Sequence, residues 1–89
     1  MQKQDTTYNG WKNRTTWNIM LWLYNDEGSF RYYVGAVRDY QRMGTRITGF
    51  RAKVIAQAAL GNVTPDGCKL TAKCVDWPAI ADAMMEAVG

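Results

Sequence analysis

The stretch from residue 13 to residue 25 constrains the fold of this chain more than any other. Apolar side chains fill most of its positions: Trp17, Ile19, Met20, Leu21, Trp22, Leu23 and Tyr24. The residues at 17, 20, 21 and 24 follow the spacing of one helical face, and the others cover most of the opposite face. Because a short helix that is apolar nearly all round is a buried one, we predict a central helix with Trp17 and Trp22 in the core. Asn13 is the predicted N-cap, with Thr15 or Thr16 as alternatives.

A second helix is predicted over about residues 27–43. Asn25 and Asp26 end the first helix and cap the second, and Gly44 ends the second as a C′ residue. The apolar stripe of the second helix consists of Phe30, Tyr33, Val34, Val37 and Tyr40.

Two more helices complete the predicted fold. Thr45 or Thr48 begins the third helix and Gly61 ends it, while Asp76 caps the last, with Trp77 and Pro78 in its first turn. The predicted apolar residues of the third helix are Phe50, Val54, Ile55, Ala58 and Ala59, and those of the last are Ile80, Ala83, Met84 and Ala87.

The connection between the third and the last helix contains a turn signal. In the sequence Thr64-Pro65-Asp66-Gly67, proline fixes one φ angle and glycine supplies a positive φ later. Residues 69–75 fit either a short extended segment or a helical turn. With 89 residues there is room for one domain only, so we expect an all-α bundle of about four helices over residues 13–89, after a flexible lead-in at residues 1–12.

Several kinds of catalytic and metal site are excluded by composition. The chain has no histidine, so it holds no Ser-His-Asp triad, no Cys-His pair and no imidazole metal ligand. Cys68 and Cys74 are too few for a four-cysteine zinc site and are read as two thiols in a reducing cytoplasm, or alternatively as a local disulfide. Asp26 and Glu27 precede a helix, where carboxylates complement the helix dipole. We therefore expect a protein that is not an enzyme and uses no metal and no cofactor.

No membrane segment is expected. The longest apolar run, residues 19–24, is far shorter than a bilayer requires, and no charged and then apolar leader begins the chain. A location in the cytoplasm of a bacterial host cell is the corresponding expectation.

Positive charge concentrates in the first two thirds of the chain. Residues 1–60 contain nine Lys or Arg against four Asp or Glu, whereas residues 61–89 contain two against four. The predicted basic face consists of Arg31, Tyr32, Arg38, Arg42, Arg46, Arg51 and Lys53. Three interpretations compete: a solvated helix surface, a site for an acidic protein, and a site for a phosphate backbone. Arginine predominates over lysine, which favours binding, because guanidinium groups contact carboxylates and phosphates bidentately.

The remaining aromatic residues have structural interpretations as well. Trp77, beside a helix cap, is predicted to cover one end of the core. Tyr8 and Trp11 either form a hydrophobic staple on the first helix or present an anchor to a partner.

Two motifs resemble those of a known protein family. The first reads Asn13-Arg14-x-Thr16-Trp17-Asn18, then Leu21-Trp22-Leu23, then Asn25-Asp26-Glu27-Gly28; the second reads Val75-Asp76-Trp77 and then Ile80-Ala81. They are similar to the N-R-E-T-W-N, L-W and N-D-E-G signature and the V-D-W-x-x-I-A segment of small proteins, mostly without assigned activity, from phages, prophages and plasmids. Thr15 departs from the glutamate of that signature.

Most of the motif residues suit a structural role. Asn13 and Asp26 are caps, and Trp17, Trp22 and Trp77 pack. Asn18, a short amide inside an apolar helix, predicts a buried hydrogen bond that holds a neighbouring loop.

The resemblance implies a protein of a mobile element, and such proteins commonly block host machinery as stoichiometric binders. The expected partner is a host defence protein or ribonucleoprotein complex, above all a CRISPR effector. The alternative is a small basic DNA-binding regulator or phage accessory protein. A homodimer through Met84, Met85 and Val88 is a further expectation.

Overall fold

Four helices make up the domain in the computed structural model, which describes residues 10–88. They are α1 (Arg14–Asn25), α2 (Glu27–Arg42), α3 (Gly49–Leu60) and α4 (Trp77–Val88). A long connection, residues 61–76, joins α3 to α4, and in it an isolated antiparallel bridge pairs Val63 with Lys69. The all-helical class and the number of helices are confirmed. The predicted lead-in falls mostly on residues 1–9, outside the described part of the chain.

The helix boundaries follow from the predicted caps. Asn13 Oδ1 accepts the amide of Thr16, and Asp26 Oδ2 accepts the amide of Ser29, which satisfies donors that have no partner within the helix. Thr48, the second of the two predicted alternatives, accepts the amide of Arg51 in the same way. Asp76 Oδ1 accepts the amide of Ala79 at the start of α4. All four caps are polar residues that were recognisable in the sequence.

The glycines that end α2 and α3 have positive φ angles. Gly44 has φ +71° and Gly61 has φ +84°, where a residue with a Cβ would be strained. Gly67 has φ +89° and donates its amide to the carbonyl of Thr64 at 2.8 Å, which confirms the predicted turn.

The buried face of α1 is one residue away from the predicted face. Ile19, Met20 and Leu23 lie in the core with Thr16, whereas Tyr24 is exposed. Trp17 and Trp22 are half-buried, so the prediction that both are core residues is wrong. Because α1 is apolar on nearly every side, periodicity alone did not determine which side faces inward.

The apolar stripe of α2 is confirmed. Tyr33 and Val37 are fully buried, and Phe30, Val34 and Tyr40 pack against the core. The ring of Tyr33 meets that of Phe30 edge to face, with centroids 5.3 Å apart, a favourable arrangement of aromatic quadrupoles.

Only part of the apolar set predicted for α3 faces the core, with Ile55 buried and Ala59 packed against it. Its buried residues are Ala52, Ile55 and Ala56, while Phe50, Val54 and Ala58 face solvent. A Cβ at Gly49 would lie 3.3 Å from atoms of Trp77 and Pro78, so the starts of α3 and α4 meet at very short range. Gly49, Ala52 and Ala56 share one side of α3, so small residues line the close approach to α4, while Phe50 points out.

The inner face of α4 is partly as predicted. Ile80 and Met84 are buried and Ala83 is half-buried, but Ala81 is buried in place of Ala87. Met84 is completely buried and is therefore not available for the dimer contact predicted for it with Met85 and Val88, which are half-buried and pack on the core.

Trp77 and Trp11 both pack against the core as half-buried residues. Trp11 thus belongs to the domain, and Tyr8 lies outside the described residues. Cys68 is buried and Cys74 exposed, and both are free thiols. No helix among residues 10–88 is long and apolar enough to span a bilayer.

Candidate functional site

The polar residues of the first motif hold the long connection against α1. Asn18, completely buried, donates from Nδ2 to Asp66 Oδ2 at 2.8 Å and accepts from Thr64 Oγ1 at 2.6 Å. Thr64 Oγ1 in turn accepts the amide of Cys68 at 3.1 Å, so one amide side chain fixes both ends of the turn. The predicted role of Asn18, a buried hydrogen bond to a neighbouring loop, is confirmed.

Asp66 is a second centre of this network. Trp22 Nε1 donates to the same Oδ2 at 2.9 Å, and the charge of Arg14 lies nearby. The hydrogen bonds from Asn18 and Trp22, helped by Arg14, lower the pKa of Asp66 below its usual value. Arg14 also donates to the Cys68 sulfur at 3.4 Å. The indole of Trp22 thus orients a carboxylate.

The two motifs, sixty residues apart, meet at the start of α1. Asn13 Nδ2 donates to the carbonyl of Cys74 at 2.6 Å. Thr16 Oγ1 donates to Asn13 Oδ1 and accepts the amide of Asp76, at 2.9 Å and 3.0 Å. Asn13 and Thr16 therefore cap α1 and hold the entry to α4 at the same time.

Asp26 performs a comparable function between α1 and α2. Ser29 donates to it from both its hydroxyl, at 2.6 Å, and its amide, at 3.0 Å, and these bonds hold the pKa of Asp26 below its usual value. Ser29 Oγ also lies 3.3 Å from the carbonyl of Ala59, which links α2 to α3.

An open groove of about 310 Å³ lies beside Asp26. Its walls come from α1, the start of α2, the end of α3 and the turn: Trp22, Asp26, Ser29, Ala59, Leu60, Val63, Thr64 and Pro65. The only charged side chain among these lining residues is Asp26, and its carboxylate already caps α2. A cation here would be held by one carboxylate but opposed by the positive end of α2, so the groove does not define a charged-ligand site.

The predicted basic face divides into parts of different character. On α2, Arg31 pairs with Glu27 at 2.6 Å and Arg42 with Asp39 at 2.5 Å, all four side chains being strongly exposed. Three arginines and two carboxylates leave α2 with a net charge of only +1. Arg38 is exposed and has no carboxylate partner within residues 10–88. Tyr32 is half-exposed on the same helix.

Arg46 and Arg51 continue the positive charge beyond α2. Arg51 Nη1 donates to the carbonyl of Arg46 at 3.1 Å, and its guanidinium carbon lies 5.7 Å from the ring centroid of Tyr40. This cation–π contact fixes Arg51 toward α2. Lys53, two residues later, points some 200° further round α3 and does not belong to the same face.

Sequence reasoning missed the exposed apolar residues near this face. Phe50 is 76% exposed, Met43 68% and Val54 47%. The prediction grouped Phe50 and Val54 with the other apolar residues of α3, and the signal against this grouping was Gly49, which marks where α3 approaches α4 closely.

The fold and these contacts define a small all-helical domain whose first helix is bonded to a long connection between its last two. The chain belongs to a family of unknown function, DUF7249, whose model matches residues 4–88. No curated protein and no solved structure matches it significantly.

Proposed function

We propose that this chain is a non-enzymatic protein that binds and occludes an anionic surface of a macromolecular partner. The observation that carries the proposal is a segment of uncompensated positive charge. Residues 43–65 contain Arg46 and Arg51, with Lys53 on another side of α3, and no aspartate or glutamate. Arg46 lies just before the cap of α3, and Arg51 lies in its first turn.

This placement of charge opposes the helix dipole. The start of a helix carries a partial positive charge, so acidic residues stabilise it and arginines there destabilise it by about 0.3–1 kcal/mol each. α3 has no acidic residue in its first turn. Arginines that oppose the helix dipole, with no carboxylate in the segment to compensate them, are typical of a binding site.

The partner that fits best is a protein surface rather than a nucleic acid duplex. Glu27 and Asp39 lie among the arginines of α2 and would face the phosphates of a duplex bound along that helix. A protein of mixed and mainly acidic surface avoids this repulsion, and the exposed pairs, each worth about 0–1 kcal/mol, exchange readily for partner carboxylates.

The identity of the partner rests on the resemblance to proteins of phages and plasmids. We propose that the chain comes from such an element and inhibits a host defence complex that targets nucleic acid, a CRISPR effector first of all. Stoichiometric inhibition requires a binding face but no reacting groups, in agreement with the absence of histidine and of recognisable catalytic motifs.

The test is to titrate purified CRISPR effectors with this protein and to measure how far their cleavage of target nucleic acid is inhibited. We expect complete inhibition near one equivalent, and a loss of about 30-fold or more in affinity for Arg38→Ala/Arg46→Ala/Arg51→Ala. Lys69→Ala/Lys73→Ala, which removes two exposed cations from the long connection, is the control and is expected to inhibit normally.

The DNA-binding alternative gives a different result with salt. Binding to a duplex through six phosphates would weaken by roughly three decades or more between about 50 and 200 mM salt. A protein contact would weaken much less. Steep salt dependence on duplex DNA together with no inhibition would refute the proposal in favour of a DNA-binding regulator.

A further inference from the structure

The outer face of α3 is an apolar stripe without a partner in this structure. Phe50, Val54 and Ala58 are spaced four residues apart, so they lie on one side of the helix, and all three are exposed. Phe50 exposes 76% of its surface. An isolated exposed apolar residue is ordinary, but a continuous stripe along a helix is typical of an interface.

The neighbouring helix carries the opposite charge. Asp82 and Glu86, one turn apart on α4, are exposed, and residues 74–88 contain no lysine or arginine. α3 contains Arg51 and Lys53 and no acidic residue. Within residues 10–88 no ion pair joins α3 to α4, so Lys53 and the two carboxylates of α4 have no ion-pair partner there.

Lys53 on α3 and Asp82 on α4 lie at similar distances from the starts of their helices. Their first turns touch, since a Cβ at Gly49 would lie 3.3 Å from Trp77 and Pro78. Lys53 is one turn after Gly49 and so lies on the side of α3 that faces α4. Asp82 stands in the second turn of α4, as Lys53 does in α3.

We propose that a second copy of this chain covers this two-helix face. A two-fold axis between α3 and α4 places α3 of each copy against α4 of the other, which is the self-complementary arrangement that a closed dimer needs. Phe50 and Val54 of each copy then lie against α4 of the other, and Lys53 meets Asp82 of the other copy. The arrangement uses a cation and an anion that the single chain leaves unpaired.

The size of the face sets the strength of the dimer. Helices of 12 residues are about 18 Å long, and two side by side are about 20 Å wide, so the flat footprint is about 360 Å² per copy, and each copy loses somewhat more accessible surface because side chains interdigitate. The total is at the lower limit for a stable complex. We therefore expect a dissociation constant on the order of 10 μM, corresponding to about 7 kcal/mol.

Sedimentation velocity tests the proposal at concentrations from about 1 μM to about 500 μM, a range that lies on both sides of the expected dissociation constant. We expect a monomer–dimer equilibrium that Phe50→Ser abolishes without changing the thermal midpoint, because Phe50 is exposed in the monomer. Tyr32→Ser, at an exposed aromatic residue of α2, is the matched control and leaves the equilibrium unchanged.

A charge exchange tests the geometry itself. Lys53→Glu is expected to weaken the dimer about tenfold, and Lys53→Glu/Asp82→Lys to restore it. A monomer at the highest concentration, a dimer indifferent to Phe50→Ser, or an open-ended assembly would each overturn the proposal. The anionic partner proposed above contacts Arg38, Arg46 and Arg51 instead, so either proposal can fail while the other stands.

Discussion

Replacing Asn18 by alanine is expected to destabilise the domain more than its small size suggests. Asn18 is fully buried, and its amide accepts from the buried hydroxyl of Thr64 and donates to Asp66. Leaving a buried polar partner unsatisfied costs about 1–3 kcal/mol, whereas water can replace the lost contact to the exposed carboxylate. With the lost packing of the side chain added, we expect a loss of about 2–3 kcal/mol.

The measurement is urea unfolding followed by far-ultraviolet circular dichroism. In a domain of this size a loss of 2–3 kcal/mol also lowers the thermal midpoint by roughly 8–20 °C. Asn25→Ala is the matched control, because Asn25 lies on the same helix, is exposed and makes no side-chain hydrogen bond within the described chain. Its effect is expected to stay within about 0.5 kcal/mol.

A double-mutant cycle separates the hydrogen bond from the packing. Thr64→Val removes the hydroxyl, so in its presence Asn18→Ala no longer leaves a buried donor without an acceptor. We expect the two effects to fall short of additivity by about 1 kcal/mol or more. Additivity within about 0.3 kcal/mol, or equal effects of Asn18→Ala and Asn25→Ala, would refute the view that this bond holds the long connection in place.

Four further outcomes follow from the contacts and can be measured by the same unfolding assay. Tyr33→Phe is expected to be neutral or stabilising by up to about 1 kcal/mol, because the buried Tyr33 hydroxyl has no partner in the described structure and burial raises its pKa. Leu23→Ala should cost about 2–5 kcal/mol as a large-to-small change at a fully buried position. Trp22→Phe, which removes the indole donor to Asp66, should cost about 0.5–1.5 kcal/mol. The pKa of Asp66 is lowered in the folded state, so the ionised carboxylate stabilises the domain above about pH 4 and this stabilisation is lost at lower pH. Asp66→Asn should therefore reduce the fall in the thermal midpoint between about pH 5 and pH 2.

The helices were predictable because their ends are marked by residues that act locally. Asn13, Asp26 and Thr48 each accept an amide three residues later, and Gly44 and Gly61 have positive φ angles. Such bonds depend on a few neighbouring residues, so a reader of the sequence can identify them without knowing the tertiary structure.

The orientation of α1 and α3 was not predictable in the same way. Both helices are apolar on most sides, and what decides which side is buried lies elsewhere in the chain. For α1 it is the pairing of Asn18 with Thr64, 46 residues later. For α3 it is the close approach to α4 at Gly49, which favours burial of the side that carries Ala52 and Ala56 and leaves Phe50 outside.

The candidate site was predictable as a set of charges but not as a surface. The arginines were visible in the sequence, whereas the ion pair of Arg42 with Asp39 and the stacking of Arg51 on Tyr40 depend on side-chain geometry. Those contacts leave the uncompensated charge at Arg38 on α2, at Arg46 and at the start of α3.

The motif residues and the proposed binding surfaces are separate in this domain. The polar atoms of the motif residues Asn13, Asn18 and Asp26 form hydrogen bonds in helix caps and with the long connection. Neither Arg46 nor Phe50 belongs to either motif. The residues of the two motifs thus support the fold, and the contacts proposed for a partner lie outside them. Substitutions such as Arg46→Ala and Phe50→Ser alter exposed side chains that the core does not require, so a change in binding caused by them reports on the surface and not on the stability of the domain.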